Sequence, residues 1–247
     1  MTVLPRRARR AGLLSAALSF AALTMAACQG ETSILSGQDI VSNIPWRAPE
    51  EARYRLLDDD EVKGSGLLRI ESADGEIAFT QEFESEEFRD EVVAMADAQT
   101  LRTSSVQRVI EGPEGPRRWQ VEYGDSTALV IQRTEDDERR DEVSAPTHSY
   151  DSWTDVFLWR TIDFHEGYEA TYTDVLSATL AEPQVISQTL EVAGRETVEV
   201  PAGTFQVWRL EIRTSGGKQK AWFADDEART LVRYDNGEIV FELLSVE

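Results

Sequence analysis

Apolar and polar residues alternate along most of the chain after residue 50, which predicts β-structure. The pattern is clearest over residues 195–214, where Val198 and Val200 alternate with polar neighbours and the run after the turn is apolar on both faces. Pro201 and Gly203 separate the two runs; proline presets the first central position of a turn and glycine accepts a positive φ. A strand that is apolar on both faces belongs inside a sheet. We therefore predict a hairpin of two interior strands here.

Turn sequences recur at short intervals through the rest of the chain. Examples are Asp74-Gly75, the loop at residues 111–116, Gly124-Asp125 and Asp235-Asn236-Gly237, which are typical hairpin connections. Residues 85–98 fit a helix or a strand, and we favour a strand because the chain on both sides keeps turning back. No repeat, proline-rich linker or change in charge divides this part. The pattern predicts one mainly β domain over residues 50–247.

One segment departs from the alternation and predicts a short helix. In Tyr150–Arg160, Asp151 or Ser152 can cap the first turn, and Trp153 and Phe157 recur at helical spacing. We expect this helix to be buried against the sheet.

The first 27 residues have the form of a secretory signal peptide. Several arginines precede an apolar run that is shorter than a membrane-spanning helix. The run ends in small residues before Cys28, a sequence that resembles the bacterial lipobox, in which the cysteine becomes the lipidated N-terminus. Cys28 is the only cysteine, so an internal disulfide is excluded. Residues 28–49 are polar and small and predict a flexible tether, which places an exported domain on the outer face of a bacterial membrane, in the periplasm or at the cell surface.

The charge of the chain limits its partners. Asp and Glu number 46 against 25 Lys and Arg, a net charge of −21. Nucleic acid needs a basic surface, and an anionic bilayer would repel this one, so membrane contact is expected through the lipid alone. The acidic clusters at 58–61, 135–138 and 225–227 lack the spacing of a calcium loop. We expect no metal and no cofactor.

Enzymatic chemistry has little support. His148 and His165 each have an acidic residue nearby, and Ser149 or Ser152 could complete a hydrolase triad with Asp151. However, no nucleophile elbow is present, and two histidines fall short of a zinc ligand set. A hydrolase is therefore the least favoured hypothesis, and no catalytic residue is assigned.

Aromatic residues concentrate in the second half of the chain. They either fill the core or leave an apolar groove between sheet and helix, because ligand pockets are mostly apolar with a few polar groups. The groove candidates are Trp153, Phe157, Phe205, Trp208 and Trp222, with Arg160 and His165 as polar residues at its mouth.

Four blocks of sequence carry a family resemblance. They are YDSWTDVFLWR (150–160), GRETVEVPAGTFQVWRLEI (194–212), AWFADDEARTLVRYD (221–235) and DAQTLR (97–102). Together they resemble a DUF 3108-like bacterial family of secreted and lipid-anchored proteins of unknown function, similar in build to the LolA and LolB lipoprotein carriers. The resemblance implies a single curved antiparallel sheet, a half-barrel, packed on one or two short helices. In those carriers the concave face holds acyl chains.

Three hypotheses follow, in order of preference. The first is a non-enzymatic, monomeric envelope lipoprotein that binds an apolar or acyl ligand, or a lipidated partner, in its concave groove. The second is an interaction module with a filled core and an acidic working surface. The third is the hydrolase.

Overall fold

The computed structural model describes residues 39–214 and 217–247, so the predicted signal peptide and Cys28 lie outside the described residues. Fifteen strands form one curved, unclosed sheet in this part of the chain. Their bounds are β1 Glu50–Asp58, β2 Glu61–Ala73, β3 Glu76–Ser85, β4 Arg89–Asp97, β5 Thr103–Glu111, β6 Arg117–Tyr123, β7 Thr127–Arg133, β8 Glu138–Ser144, β9 Ser149–Asp151, β10 Glu169–Leu176, β11 Gln184–Val200, β12 Gly203–Thr214, β13 Gly217–Ala224, β14 Leu231–Asp235 and β15 Val240–Val246.

The sheet consists of two meanders joined at a central seam. Its strand order is β8-β7-β6-β5-β4-β3-β2-β1-β15-β14-β13-β12-β11-β10-β9. Neighbours are antiparallel except β9 and β10, which are parallel. The first meander (β1–β8) and the second (β9–β15) therefore run outward from the β1–β15 pair, where Leu56 lies opposite Phe241.

The two edge strands, β8 and β9, lie close together. Only residues 145–148 connect them, and the five Cα–Cα steps from Ser144 to Ser149 reach at most about 19 Å. Their backbones do not pair with each other. The sheet therefore curls back on itself and stops short of closure, as the predicted half-barrel requires.

The predicted turns are present and explain the antiparallel order. Asp74 and Gly75 connect β2 to β3 with positive φ angles of 51° and 89°, the conformation that matches the twist of a tight hairpin. Pro201 and Ala202 connect β11 to β12, and Gly203 has a φ of 136°. Both strands of this hairpin are interior. The ambiguous stretch before residue 98 contains strand β4, so the strand prediction is confirmed.

Two strands differ from the sequence pattern. β11 is one strand of 17 residues, because a register shift between Val192 and Gly194 absorbs the glycine as a bulge instead of ending the strand. β8 was not predicted, since its residues are mostly charged. It is an edge strand with no buried residue, and charged side chains on an edge discourage pairing with another chain.

The predicted helix is present and buried. A 3-10 turn (Ser152–Thr154), one α-helical turn α1 (Asp155–Leu158) and a second 3-10 turn (Trp159–Thr161) follow one another. We call residues 152–161 the inner helix. The Asp151 carboxylate caps it by accepting a hydrogen bond from the Trp153 amide at 2.9 Å. Phe157 stacks on Phe79 of β3 with ring centroids 4.5 Å apart, so the helix packs on the concave face.

The described end of the predicted tether lies on the domain. Ile40 and Trp46 are buried, and the amides of Ser42 and Asn43 donate to the Thr161 carbonyl at 2.9 and 3.0 Å. The prediction of a flexible tether is therefore wrong for residues 39–49. The apolar side chains spaced through this polar segment cover the end of the inner helix.

Candidate functional site

An apolar cavity of about 580 Å³ lies between the sheet and the inner helix. The first meander, the second meander and the helix all contribute to it. Phe83 and Phe241, one from each meander, meet edge to face at 5.5 Å across the seam. Its other apolar walls include Leu56, Leu68, Leu176, Ile186, Trp153 and Val156. The volume falls within the range of about 300–1,000 Å³ typical of small-molecule sites.

Three buried aspartates lie at or behind the cavity wall. We call Asp151, Asp155 and Asp174 the buried carboxyl cluster; all three are at most 7% exposed. Asp155 and Asp174 line the cavity, and Asp151 does not. Asp155 is on α1 and Asp174 on β10, where period-two alternation places it on the same face as buried Tyr172. Apolar positions surround each of these acids in sequence.

Gln188 links two of the carboxyl groups. Its side-chain Nε2 donates to Asp155 Oδ2 at 2.7 Å and to Asp174 Oδ2 at 2.6 Å. The Tyr172 hydroxyl donates to Asp155 Oδ1 at 2.7 Å and accepts a hydrogen bond from Trp159 Nε1 at 2.9 Å. Asp155 therefore has both oxygens satisfied by neutral donors.

Asp151 is held separately. Its Oδ2 accepts from the Tyr123 hydroxyl at 2.5 Å and from the Ser177 hydroxyl at 2.5 Å, while Oδ1 caps the inner helix. This aspartate is therefore saturated with donors and ties β6, β10 and the helix together.

Burial shifts the protonation of the cluster. It raises the pKa of Asp155 to about 8, with the charge of Asp151 adding to the effect. Burial, then the charges of Asp155 and Asp151, raises the pKa of Asp174 well above its usual range. Burial also raises the pKa of Asp151. Within the described residues, no ion pair joins these carboxyl groups to Lys, Arg or His, so at pH 7 Asp155 is mostly protonated.

Two acceptors of the cluster lack a well-formed hydrogen bond. Asp174 Oδ1 and Gln188 Oε1 are buried, and neither accepts a well-formed hydrogen bond from the described residues, although the Val175 amide lies near the Asp174 carboxyl group and slightly offsets the rise in its pKa. Both residues line the cavity. An unsatisfied buried polar group in a native protein calls for a specific explanation.

One further acid of the cavity wall is neutralised. Asp90 lines the cavity and accepts two hydrogen bonds from Arg108, at 2.9 and 2.6 Å. Arg108 also donates to the Ala178 carbonyl at 2.7 Å and lies over the Trp153 ring at 4.5 Å. Its charge is therefore committed to Asp90 and is not available to the buried carboxyl cluster.

A second, polar groove lies at the other end of the inner helix. Residues 42–47, Arg160 and the loop at 225–229 line it. Arg160 is 5% exposed and donates to both carboxylate oxygens of Glu50, at 2.6 and 3.1 Å, and to the Ala228 carbonyl at 2.7 Å. We call this the Arg160–Glu50 pair.

The structure separates the predicted groove residues. Only Trp153 lines the apolar cavity; Phe157 is buried against Phe79, and Arg160 lines the polar groove. Trp208 donates to Asp225 at 2.7 Å, and Trp222 donates to Glu196.

The remaining two candidates lie at the surface or on the rim of the core. Phe205 is partly buried against the core. His165 is exposed and lies near the Glu166 carbonyl and Asp163. Neither lines the apolar cavity.

The hypothetical hydrolase triad does not assemble. His148 Nδ1 lies 3.3 Å from the Arg102 guanidinium, and Ser149 donates to the Pro146 carbonyl. Asp151 bonds to Tyr123 and Ser177 instead of a histidine. In residues 39–214 and 217–247, no group of His, Cys, Asp and Glu is arranged to hold a metal ion. None of their helices is long and apolar enough to cross a membrane.

The fold and site define a class: a single curved antiparallel sheet wrapped around an inner helix and an apolar cavity. The chain belongs to the family described as protein of unknown function DUF3108, whose model matches residues 63–243. No curated protein matches the chain.

Two solved structures align with most of this chain at low sequence identity. A β-barrel-like protein of domain of unknown function DUF1849 from Brucella abortus aligns with a TM-score of 0.51 at 13% identity, covering 84% of this chain and 98% of that one. A putative exported protein with a YmcC-like fold from Bacteroides fragilis covers 85% of this chain and all 100% of its own, at 12% identity and a TM-score of 0.29. The Brucella protein is similar in fold alone.

Proposed function

We propose that this protein is an exported, lipid-anchored binding protein that takes an apolar ligand into its cavity. The observation that carries the proposal is the cavity itself. It has about 580 Å³ of space lined mainly by buried and half-buried aromatic and aliphatic side chains, between the sheet and the inner helix. Close-packed interiors leave few voids larger than a water molecule, so a cavity of this size favours binding over the filled-core alternative.

A fluorescent probe tests the binding. N-phenyl-1-naphthylamine is neutral and apolar and brightens when it leaves water. Leu176→Trp places a larger side chain in the cavity wall and is expected to weaken probe binding at least 10-fold. Leu129→Trp is the matched control, because Leu129 lies on β7 with 39% of its surface exposed and does not line the cavity.

The outcomes separate binding from a filled core. The proposal expects saturable probe binding by the wild type and by the control, with loss in Leu176→Trp. Absence of saturable binding by the wild type, or an equal effect of both substitutions, would show that the cavity is not a binding site. Native mass spectrometry of the purified protein then identifies any ligand that it retains.

The lipid anchor is a separate part of the proposal. It rests on the arginines, the apolar run and the small residues before Cys28. Cys28→Ser is expected to move the protein from the membrane fraction to the soluble fraction of the producing bacterium. A wild-type protein that is already soluble there would contradict the anchor and leave the cavity experiment unaffected.

A further inference from the structure

The two free acceptors in the cavity wall specify what a ligand must supply. Asp174 Oδ1 and Gln188 Oε1 accept no well-formed hydrogen bond within the described part of the chain, and Gln188 already uses its amide nitrogen on both carboxyl groups. Leaving such buried acceptors unmatched costs the desolvation energy of each group. A ligand that ends in hydrogen-bond donors recovers that energy, whereas a purely apolar ligand does not.

We propose that the cavity selects amphiphiles that carry a primary amine: the ammonium group donates to Asp174 and Gln188 while the alkyl or aryl body fills the apolar space. This inference rests on the proposed function and adds the chemistry of the head group. An ammonium offers three N–H donors and no acceptor, so it can pair with the Gln188 oxygen and with the Asp174 oxygen once that carboxyl group has given up its proton.

Charge favours an amine over other head groups. The cluster brings three buried carboxyl groups together with no basic partner among residues 39–214 and 217–247, since Arg108 and Arg160 are paired with Asp90 and Glu50. A buried charge is stabilised when an opposite charge with good hydrogen bonds faces it. A fatty acid would add a fourth acidic group to the three carboxyl groups of the cluster. An alcohol offers one hydrogen-bond donor but no positive charge. A quaternary ammonium has the charge but no N–H to donate.

Proton release is an independent consequence. Asp151, Asp155 and Asp174 face the site from the helix and β9–β10, and the tyrosines Tyr123, Tyr172 and Tyr234 face it from β6, β10 and β14. Burial raises the pKa of each of these groups, so burial favours the protonated form of the carboxyl groups in the empty cluster. An arriving ammonium stabilises the carboxylate form, and a proton therefore leaves the Asp155–Asp174 pair as the amine binds.

The test compares four twelve-carbon probes that differ only in head group: dodecylamine, dodecanol, dodecanoic acid and dodecyltrimethylammonium. Each competes with N-phenyl-1-naphthylamine at pH 7. Dodecylamine is expected to compete at a concentration at least about 10-fold below that of each of the others, as a charged hydrogen bond to a buried acceptor implies. Calorimetry in two buffers of different ionisation enthalpy is expected to show proton release with dodecylamine and none with dodecanol.

Two matched variants test which carboxyl group is responsible for the preference for the amine. Asp174→Asn keeps an oxygen for Gln188 and replaces the free acceptor with an N–H donor, so it is expected to remove the advantage of the amine over the alcohol. Asp155→Asn alters a carboxyl group whose oxygens are already satisfied and is expected to keep the order of amine before alcohol. Retained binding of the naphthylamine probe shows that each variant has folded.

The results divide as follows. Equal competition by dodecylamine and dodecanol, with the naphthylamine bound normally, would overturn this inference and leave the proposed function standing. An amine preference that survives in Asp174→Asn would also overturn it. A wild-type protein that binds neither the naphthylamine nor dodecylamine would overturn both.

Discussion

The inner helix carries two buried ionisable groups that differ in how they are matched. Arg160 lines the polar groove, and its charge is neutralised by Glu50 in a two-point contact. Asp155 lines the apolar cavity, and with Asp174 it has only neutral donors. A buried group that is paired with an opposite charge has a structural role that the fold explains. A buried ionisable group without such a partner remains able to bind one, so the difference indicates where to look for function.

Breaking the matched pair is expected to have the largest effect on stability. Glu50→Gln leaves Arg160, which is 5% exposed, without its counter-charge. Removing one partner of a buried pair costs roughly 3–5 kcal/mol, measured by denaturant unfolding at pH 7.

The adjacent residue provides the control for that experiment. Glu51 also accepts two hydrogen bonds from an arginine, Arg69, but this pair is partly exposed to solvent. Exposed pairs contribute about 1 kcal/mol or less, so Glu51→Gln is expected to be mild. Equal losses in the two variants would show that burial does not distinguish the two pairs.

The buried carboxyl cluster, which has no counter-charge, predicts that stability depends on pH. We expect this effect to be smaller than that of Glu50→Gln. An Asp155 whose pKa rises from 3.8 in the unfolded chain to about 8 in the fold binds a proton more tightly when folded. Its contribution to stability is therefore complete below about pH 4 and is lost as the pH rises through about 8. From a limiting slope near 1.4 kcal/mol per pH unit, we expect Asp155 to lower the free energy of unfolding by about 2–3 kcal/mol between pH 5 and pH 7.

Asp155→Asn identifies the source of that slope. The variant cannot ionise, so its unfolding free energy is expected to vary less over the same interval, measured by urea titrations at several pH values. The acids with lowered pKa, such as Glu51 and Asp97, act below this window and do not mask the effect. A wild-type stability that rises from pH 5 to pH 7 would contradict the expectation.

Local sequence determined much of the fold. Turns such as the one at Asp74-Gly75, and the strand alternation along β4 and β12, depend only on residues close together in the chain. They can therefore be predicted from a single sequence. The capping residue Asp151 was also predicted. The charged edge strand β8 was missed because its alternation is of exposed and half-buried charges, which resembles a loop.

The sequence predicted that an apolar groove exists, but it did not predict most of the residues that line it. Trp153 was identified as a wall residue, but Trp208 and Trp222 pack elsewhere. In the β12–β13 register Trp208 lies opposite Phe223 and Trp222 opposite Arg209, so the two tryptophans point to opposite faces of the sheet. Asp155 and Asp174 were missed, although each is an acid at an apolar, inward position. The two carboxyl groups come together only because β10 packs against the inner helix. The separation of the two residues in the sequence does not predict that packing.

The seam between β1 and β15 has a consequence for how the protein assembles. Apart from the parallel β9–β10 pair, each meander is built from hairpins between consecutive strands, so most of each can form from local contacts. Their union requires residues near the start of the domain to pair with its final strand, from Ala52 with Val246 to Leu57 with Val240, and such distant pairing slows folding. Because Phe241 of β15 also forms part of the cavity wall, the wall is completed only when β15 has joined the sheet.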